Sequence, residues 1–408
     1  MKRKLTLTLL LATAALVTGA QTTNTNRTQI CEDPVPFKFG GHIYLPLIID
    51  NEHHANMVFD TGASGQLLID TIYLAEQHWR LDSLKNAKMS GAYGYTRVKV
   101  SWKEHVVEHG KVWESFPYMI LGDLRGILGK HADGLLGSND VETHPLEINY
   151  QYRFLRKLNT IPDSVKRNYQ SIPLTFHNGK CMIKATVWFN GKPIEGLYNI
   201  DTGSGGDIDF TQETTKKYDM ESYKGTTYTG HGLGMGIGDA GISTWIDALA
   251  DSMQIGTLNI RCPEITIHPT AKGALEKNIF VGNIGAGIFC CYNLVLDIPN
   301  AKLYCRPYKE YQFAKRALGF GWINRTDIGK GWIVRSIYDG SPADKAGMKL
   351  GDIIVEVDGK KVEDYTWEEE QKLRDKEAVT LLLKTPAGQR TVTIQQAPLY
   401  VASRPNDI

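Results

Sequence analysis

The sequence lacks a strong excess of charge of either sign. Of its 408 residues, 46 are lysine or arginine and 45 are aspartate or glutamate, which leaves a formal net charge of +1. A chain with this balance has no long-range attraction to nucleic acid or to an anionic membrane surface, so we expect neither as a partner. Beyond its N-terminal segment it also lacks any apolar run of about eighteen residues, and we expect no membrane span.

Several motifs that would indicate other chemistry are absent as well. The histidines and cysteines are not spaced as H-E-x-x-H or C-x-x-C, and no serine lies in G-x-S-x-G. The sequence therefore predicts no metal site and no cofactor. One formal G-x-G-x-x-G match lies at residues 236–241, but no buried strand precedes it and no amphipathic helix follows. Nucleotide binding is not expected there, and a flexible loop is the prediction.

The N-terminal segment has the pattern of an export signal. Three basic residues (2–4) precede an apolar stretch (5–17) and a small-residue cleavage site (18–20). This order predicts a signal peptide at residues 1–20 and a periplasmic or extracellular location. The polar residues 21–35 are predicted to be disordered. In an exported chain the six cysteines favour disulfides, with a connectivity that the sequence leaves open.

A turn that begins Asp-Thr-Gly occurs twice, at residues 60–64 and 201–205. Each copy follows an apolar run that is typical of a short buried strand, and each of those strands is the second arm of a predicted hairpin. The two aspartates are 141 positions apart, which indicates an internal duplication. A carboxylate on a rigid turn, present twice, predicts a site in which two carboxylates face one another.

The repeated turn resembles that of the aspartic proteases, in particular the retroviral-protease-like and pepsin-like group. In that family a hydrophobic-hydrophobic-Gly element follows each turn, and here Gly-Leu-Leu-Gly (134–137) follows the first turn and Gly-Asn-Ile-Gly (282–285) follows the second. The resemblance implies a mainly β fold with two β-rich lobes that form one cleft. Residues 36–158 would be the first lobe and residues 159–308 the second.

The resemblance also implies roles for the turn residues. Asp60 and Asp201 would share one proton and activate a water molecule for peptide hydrolysis, with the acid and base left unassigned. The supporting residues would hold the turns together or donate to the carboxylates, with Ser204 bonding the outer oxygen of Asp201. These supporting residues are Thr61, Gly62, Thr202, Gly203 and Ser204.

A glycine-flanked aromatic pair lies between the two elements of the first lobe. Tyr93 and Tyr95 stand in the stretch Gly-Ala-Tyr-Gly-Tyr, which suits a mobile hairpin. In the resembling family a flap occupies this place, so either tyrosine is a candidate to cover substrate. The alternative is a surface hairpin with a packing tyrosine.

The last part of the chain resembles a PDZ domain of the kind appended to bacterial proteases. It carries G-S-P-A, A-G, G-D-I-I and V-D-G in that order, and the predicted domain is residues 313–402. This α+β domain is expected to form its own core. The resemblance implies a peptide groove between a strand and the helix of residues 367–374. The loop Leu318, Gly319 and Phe320 would receive a terminal carboxylate.

Together these patterns predict an exported aspartic endopeptidase with a peptide or protein substrate. The alternative is a catalytically silent peptide-binding protein that uses the same cleft and the PDZ groove. In the first lobe, residues 138–140 and 143–145 depart from the resembling family, in which a helix is usual. The sequence leaves the substrate, the cleavage preference and the oligomeric state open.

Overall fold

A computed structural model of the chain describes residues 32–63, 65–137, 142–238, 241–312 and 316–398, and these residues are mainly β. The predicted signal peptide and residues 21–31 and 138–140 lie outside the described residues. Val35 contradicts the prediction of disorder for residues 21–35, because it forms a strand, is 1% exposed and pairs with Leu155. Burial of its apolar side chain stabilises this strand.

The secondary structure is dominated by short strands. The elements before residue 160 are β1 (Val35–Pro36), β2 (Lys38–Phe39), β3 (Ile43–Ile49), β4 (His53–Phe59), β5 (Leu67–Asp70), α1 (Thr71–Glu76), β6 (Lys85–Gly91), β7 (Gly94–Ser101), β8 (His105–Glu108), β9 (Val112–Phe116), β10 (Met119–Gly122), α2 (Arg125–Leu128), β11 (Gly134–Leu136), β12 (Leu146–Asn149) and β13 (Phe154–Lys157). The next are α3 (Asp163–Asn168), β14 (Gln170–His177), β15 (Lys180–Phe189), β16 (Lys192–Asp201), β17 (Ile208–Phe210), α4 (Gln212–Lys217), β18 (Thr227–Leu233), β19 (Ile242–Leu249), β20 (Ser252–Ile255), β21 (Leu258–Arg261), β22 (Glu264–Ile267), β23 (Gly282–Gly285), α5 (Ala286–Phe289), β24 (Tyr292–Asp297) and β25 (Lys302–Pro307). The last are β26 (Arg316–Ala317), β27 (Phe320–Asn324), β28 (Trp332–Tyr338), α6 (Pro342–Lys345), β29 (Ile353–Val357), β30 (Lys360–Lys361), α7 (Trp367–Lys372), β31 (Ala378–Thr385), β32 (Gly388–Gln395) and β33 (Ala397–Pro398). Short 3-10 turns lie at Thr61–Ala63, Met220–Ser222, Gly273–Leu275, Ile298–Asn300, Thr326–Ile328, Val362–Asp364 and Leu373–Asp375.

One sheet is built from the strands of the first Asp-Thr-Gly repeat. Its strand order is β6-β7-β10-β5-β11-β4-β3-β8-β9, with β2 paired to β3. The predicted hairpin is present as β3 and β4, whose pairing runs from Ile43 with Phe59 to Ile49 with His53. Its tight turn needs left-handed backbone at Asp50, and aspartate tolerates that conformation better than most residues.

The strand pairing around the first Asp-Thr-Gly turn is repeated around the second. β11 runs parallel to β4 and antiparallel to β5, with Gly134 beside Met57. In the same way β23 runs parallel to β16 and antiparallel to β17, with Gly282 beside Tyr198. The strand before each Asp-Thr-Gly turn is therefore paired with a neighbouring strand that contains a glycine.

A second, larger sheet includes strands from both sides of the repeat. β12 and β13 lie before residue 158, yet β12 pairs with β24 and β13 pairs with β1. The register places Ile148 opposite Leu294, and neither side chain is exposed. These pairings tie the residues before the second repeat to its closing strands.

The main core is continuous beneath both turns. Phe59 and Ile200, which precede the two aspartates, are both 0% exposed and belong to one apolar cluster. Burying a side chain of this size contributes about 1.5–3 kcal/mol to folding. The strand ends that carry Asp60 and Asp201 are thus anchored from below.

The C-terminal region has its own apolar core, which is centred on the fully buried Trp332. The predicted helix of residues 367–374 is present as α7 and the 3-10 turn after it. β28 of this region also pairs antiparallel with β18, with Gly230 opposite Tyr338. The C-terminal region is therefore hydrogen-bonded into the larger sheet through its own strand.

Candidate functional site

Each Asp-Thr-Gly turn closes on its own aspartate. The amide of Gly62 donates a hydrogen bond of 2.6 Å to Oδ1 of Asp60, and the amide of Gly203 donates one of 3.1 Å to Oδ1 of Asp201. The amide of Asp60 is itself bonded to the carbonyl of Leu136, which extends the β4–β11 pairing by one residue. The sequence therefore fixes each carboxyl group at a strand end by local backbone donors.

The two turns are joined by reciprocal hydrogen bonds between their threonines. The amide of Thr61 donates to Oγ1 of Thr202 and the amide of Thr202 donates to Oγ1 of Thr61, both at 3.0 Å. Each hydroxyl then donates to a carbonyl of the opposite strand, Thr61 to Ile200 at 2.7 Å and Thr202 to Phe59 at 3.1 Å. Because both threonines are buried, the four bonds hold the turns in one fixed arrangement.

Glycine is required at the third position of each turn because the carboxyl groups occupy the adjacent space. A Cβ on Gly203 would lie 2.3 Å from the carboxyl carbon of Asp60, which is closer than real Cβ contacts. A Cβ on Gly62 would lie 2.9 Å from a carboxylate oxygen of Asp60 and of Asp201. Each glycine of one turn thus makes room for the acid of the other.

The carboxyl groups of Asp60 and Asp201 are hydrogen-bonded to each other, and both residues are partly buried. Burial raises the pKa of Asp60, since a charged form is costly away from water. Burial and then the charge of Asp60 raise the pKa of Asp201. Two such carboxyl groups titrate as a pair and retain one proton between them over a wide pH range.

Two further side chains reach the pair, and the sequence did not reveal either. The ammonium of Lys180, at the start of β15, donates to the carbonyl of Gly62, and its charge lowers the pKa of both aspartates. Nδ2 of Asn283 donates to Oδ2 of Asp201 at 3.1 Å. The corresponding position of the first repeat is Leu135, paired with Val58 as Asn283 is with Asn199. The two halves of the site therefore differ chemically.

Ser204 does not bond as expected. Its hydroxyl donates to Oδ2 of Asp209 at 2.9 Å, and its backbone amide donates to Oδ1 of Asp201 at 3.1 Å. The other oxygen of Asp209 lies 2.9 Å from Nε2 of His268. The prediction of a hydroxyl bond to Asp201 is thus wrong, because Asp209 competes for the serine proton.

The structure separates the two flap candidates. Tyr93 lies at the tip of the β6–β7 hairpin, lines the cavity above the aspartates and meets the ring of His268 edge-on at 5.7 Å. Tyr95 is 62% exposed and lies under the ammonium of Lys88. Only Tyr93 of this pair is placed to contact a ligand above the carboxyl groups.

The hairpin tip is packed against a glycine-rich part of the second repeat. A Cβ on Gly238 would lie 2.4 Å from the backbone of Gly94, and one on Gly273 would lie 2.4 Å from the carbonyl of Gly91. The amide of Tyr93 also donates to the carbonyl of Ile237 at 3.2 Å. This close backbone approach requires glycine. Gly236 and Ile237 of this tract line the same cavity.

One cavity of about 1190 Å³ connects the paired turns to the C-terminal region. Asp60 and Asp201 line it, and so do Leu318, Gly319 and Phe320 of the predicted peptide-binding loop. This volume exceeds the roughly 300–1000 Å³ typical of small-molecule pockets. The space suits an extended chain rather than a compact ligand.

The predicted peptide-binding loop is held in shape by the turn before α6. Gly319 has a left-handed φ of +86°, and its carbonyl accepts from the amide of Tyr338 and the hydroxyl of Ser341, both at 3.1 Å. The amide of Ala343 donates to the carbonyl of Leu318 at 3.2 Å. These bonds fix the start of β27, along which a groove runs beside α7.

Other chemistry finds little support among the described residues. No group of three or more His, Cys, Asp or Glu side chains there is arranged to hold a metal ion. No helix in the described ranges is long and apolar enough to cross a membrane. The expectation of disulfides is not met for the five described cysteines, which are free thiols: Cys181, Cys262, Cys290, Cys291 and Cys305.

Comparison with known proteins identifies one part of the chain. A family model described as PDZ domain matches residues 333–394. The match covers β28 to β32 and includes α7, which borders the groove. A search of curated proteins found no match. A PDZ domain supports binding of a peptide or protein partner by this region.

Proposed function

We propose that this chain is an exported aspartic endopeptidase that uses a water molecule activated between Asp60 and Asp201. In this proposal residues 36–158 and 159–308 are two β-rich lobes that form one cleft. The PDZ domain binds peptide beside that cleft. Export rests on the signal-like pattern of residues 1–20, and gives a periplasmic or extracellular site of action.

The observation that carries the proposal is the reciprocal grip of Thr61 and Thr202 around a hydrogen-bonded carboxyl pair. A structural role would not require two carboxyl groups side by side at partly buried positions, since the second ionised charge is costly there. The strands and threonines supply the rigidity that offsets this cost. Paired acids with raised pKa values are a common feature of catalytic sites.

The chemistry follows from the single proton that the pair retains. The ionised carboxylate removes a proton from a bound water, while the protonated carboxyl donates a hydrogen bond to the scissile carbonyl oxygen. Water then adds to the carbonyl carbon. When the tetrahedral intermediate collapses, a proton passes to the leaving amine and the pair returns to its singly protonated form. The covered cavity limits access of bulk water.

The proposal is tested by hydrolysis of an unstructured protein such as denatured casein, with products identified by mass spectrometry. Asp60→Asn and Asp201→Asn should each remove activity by several orders of magnitude while the far-UV circular dichroism stays unchanged. Asp163→Asn is a matched control, because that side chain is 77% exposed. Undiminished cleavage by either of the first two variants rules out the paired mechanism.

The second candidate is a peptide-binding protein without catalysis, which the PDZ match at residues 333–394 favours on its own. Such a protein would hold peptides in the same cavity and release them intact. The two functions separate in one measurement: a bound peptide recovered at full length after long incubation with wild-type protein indicates capture alone.

A further inference from the structure

We infer that the PDZ groove and the carboxyl pair act on one peptide at the same time, so that the substrate is a chain with a free C-terminus and the cut is counted from that end. The inference rests on the proposed peptidase function. It goes beyond that function because it names the part of the substrate that is recognised and predicts where the chain is cut.

The first step is that the groove opens into the cavity of the carboxyl pair. The loop residues Leu318 to Phe320, the helix residue Trp367 and both aspartates line the same space. A separate recognition domain would have its groove elsewhere on the surface. Here a peptide in the groove is already inside the cavity that holds the acids.

The second step is the direction in which a bound peptide runs. A terminal carboxylate at the loop places the peptide end beside the start of β27, and the residues before it extend along that strand. Along the opposite wall, Leu373 lines the same small void as Leu318, and Glu370 accepts from Nδ2 of Asn324 at 2.7 Å. The peptide therefore leaves the groove beside the end of β27 and the start of α7.

The third step is what lies at that exit. Trp367 contacts Gly40, where an added Cβ would lie 2.7 Å from its ring, and its ring meets Tyr44 edge-on at 6.1 Å. The same β2–β3 turn continues to His42, whose ring lies 3.6 Å from the position of a Cβ on Gly205. Gly205 belongs to the turn of Asp201. The exit of the groove is thus joined to the second turn by one short segment.

The fourth step concerns the length of strand that the peptide can add to β27. The amide of Lys130 donates to the carbonyl of Asn324 at 2.9 Å, so the chain itself takes the end of that strand. His131 lies 3.4 Å from the carboxylate of Glu370 at the same place. A peptide can pair with β27 only before Asn324 and must then turn away toward the cavity.

Two positive side chains, Arg335 and Arg374, line the cavity that the loop borders, which favours an anionic end group on a bound peptide. The side chains beneath the loop are apolar and include Phe320 and Leu373. An apolar C-terminal side chain can pack against them at a lower desolvation cost than a charged one.

The test uses the full-length protein and peptides of one repeated sequence in increasing lengths, each made with a free C-terminal carboxylate and with a C-terminal amide. We expect kcat/KM to fall about tenfold to hundredfold on amidation, the effect of losing a charge-assisted contact. We also expect the cut to stay at a constant number of residues from the C-terminus as length increases. Equal rates for both ends, or cuts counted from the N-terminus, overturn the inference and leave the peptidase proposal intact.

Binding to the Asp201→Asn protein separates the two proposals. Fluorescence anisotropy should show tighter binding of carboxylate peptides than of amides, with C-terminal alanine preferred over C-terminal aspartate. If this preference is present but wild-type protein cleaves none of the peptides, the peptidase proposal fails and the counted cut fails with it. If the variant binds both ends equally while wild-type protein cleaves both, recognition of the C-terminus is wrong and the peptidase stands.

Discussion

Thr61 and Thr202, which lie 141 positions apart, exchange amide-to-hydroxyl hydrogen bonds of equal length, 3.0 Å in each direction. Each turn is thus held partly by the other, in addition to its own strand pairing. The geometry of the carboxyl pair is therefore a property of both halves of the chain together, and it should be lost when either hydroxyl is removed.

Thr202→Val should lower the free energy of unfolding by about 2–5 kcal/mol, because the buried amide of Thr61 and carbonyl of Phe59 lose their partner. Thr202→Ser keeps the hydroxyl and should lose much less. Urea denaturation followed by tryptophan fluorescence measures both. A Val variant as stable as the Ser variant would show that the hydrogen bonds of the Thr202 hydroxyl contribute little to the free energy of unfolding.

Lys180→Met should move the pH profile of kcat/KM to higher pH. The lysine charge lowers the pKa of Asp60 and Asp201, so its removal raises both values, and each limb of the profile follows in the same direction. Lys184→Met is the matched control, since that exposed lysine lies on the same strand. A profile that does not move would mean that the ammonium acts through its bond to Gly62 alone.

Asp207→Asn should change how stability depends on pH. Burial is the main cause that raises the pKa of Asp207 from 3.8 to about 6, against the hydrogen bond from Tyr311. The folded state thus keeps a proton that the unfolded state releases, and this contribution is present below pH 3.8 and lost as the pH rises through 6.

The asparagine cannot titrate, so the variant should gain up to about 3 kcal/mol relative to wild type across that window. Parallel unfolding curves at several pH values measure the difference. A constant difference between the two proteins over the whole window would contradict the raised pKa.

Tyr338→Phe should destabilise the whole chain and not the PDZ domain alone. The hydroxyl of Tyr338, on β28, donates at 2.7 Å to Oδ2 of Asp247, which is 3% exposed and lies on β19. Loss of a bond to a buried carboxylate costs about 1.5–3 kcal/mol. Tyr152→Phe, at a side chain that is 69% exposed, serves as control. Two separate unfolding transitions with only one shifted would contradict this coupling.

Tyr93→Ala should lower kcat/KM for peptide hydrolysis roughly tenfold or more, because the ring lines the cavity and helps position what is bound there. Tyr95→Ala should leave the rate close to that of wild type, since its ring faces solvent. Both variants remove one tyrosine from the same hairpin, so a difference in their steady-state rates reports the position of the ring and not the loss of a tyrosine as such. Equal losses would show a general effect on the hairpin.

Local patterns predicted the turns, the hairpins and the contact of the two turns through Thr61 and Thr202, whereas other contacts between distant segments were missed. The apolar run, the Asp-Thr-Gly letters and the neighbouring glycines each act within a few residues, which is why the sequence indicated Asp60 and Asp201. Lys180 donates to the carbonyl of Gly62, 118 positions away, and no pattern within a few residues of either position predicts this contact. The Asp209–His268 contact is hidden for the same reason. The pairing of β12 with β24 likewise depends on a register that only the folded sheet defines.

The pairing of β18 with β28 joins the PDZ domain to one side of the cavity. β28 is held between β27, which borders the peptide groove, and β18, which leads into the glycine tract above the aspartates. The side of the cavity next to β18 is therefore held by backbone hydrogen bonds to a strand of the PDZ domain. The β6–β7 hairpin belongs to the other sheet through the pairing of β7 with β10, and its tip reaches the second repeat only as a loop contact at Ile237, Gly238 and Gly273 among the described residues. In the proposed peptidase, the hairpin tip would have to release its contacts with Ile237 and Gly238 before a peptide could pass between them.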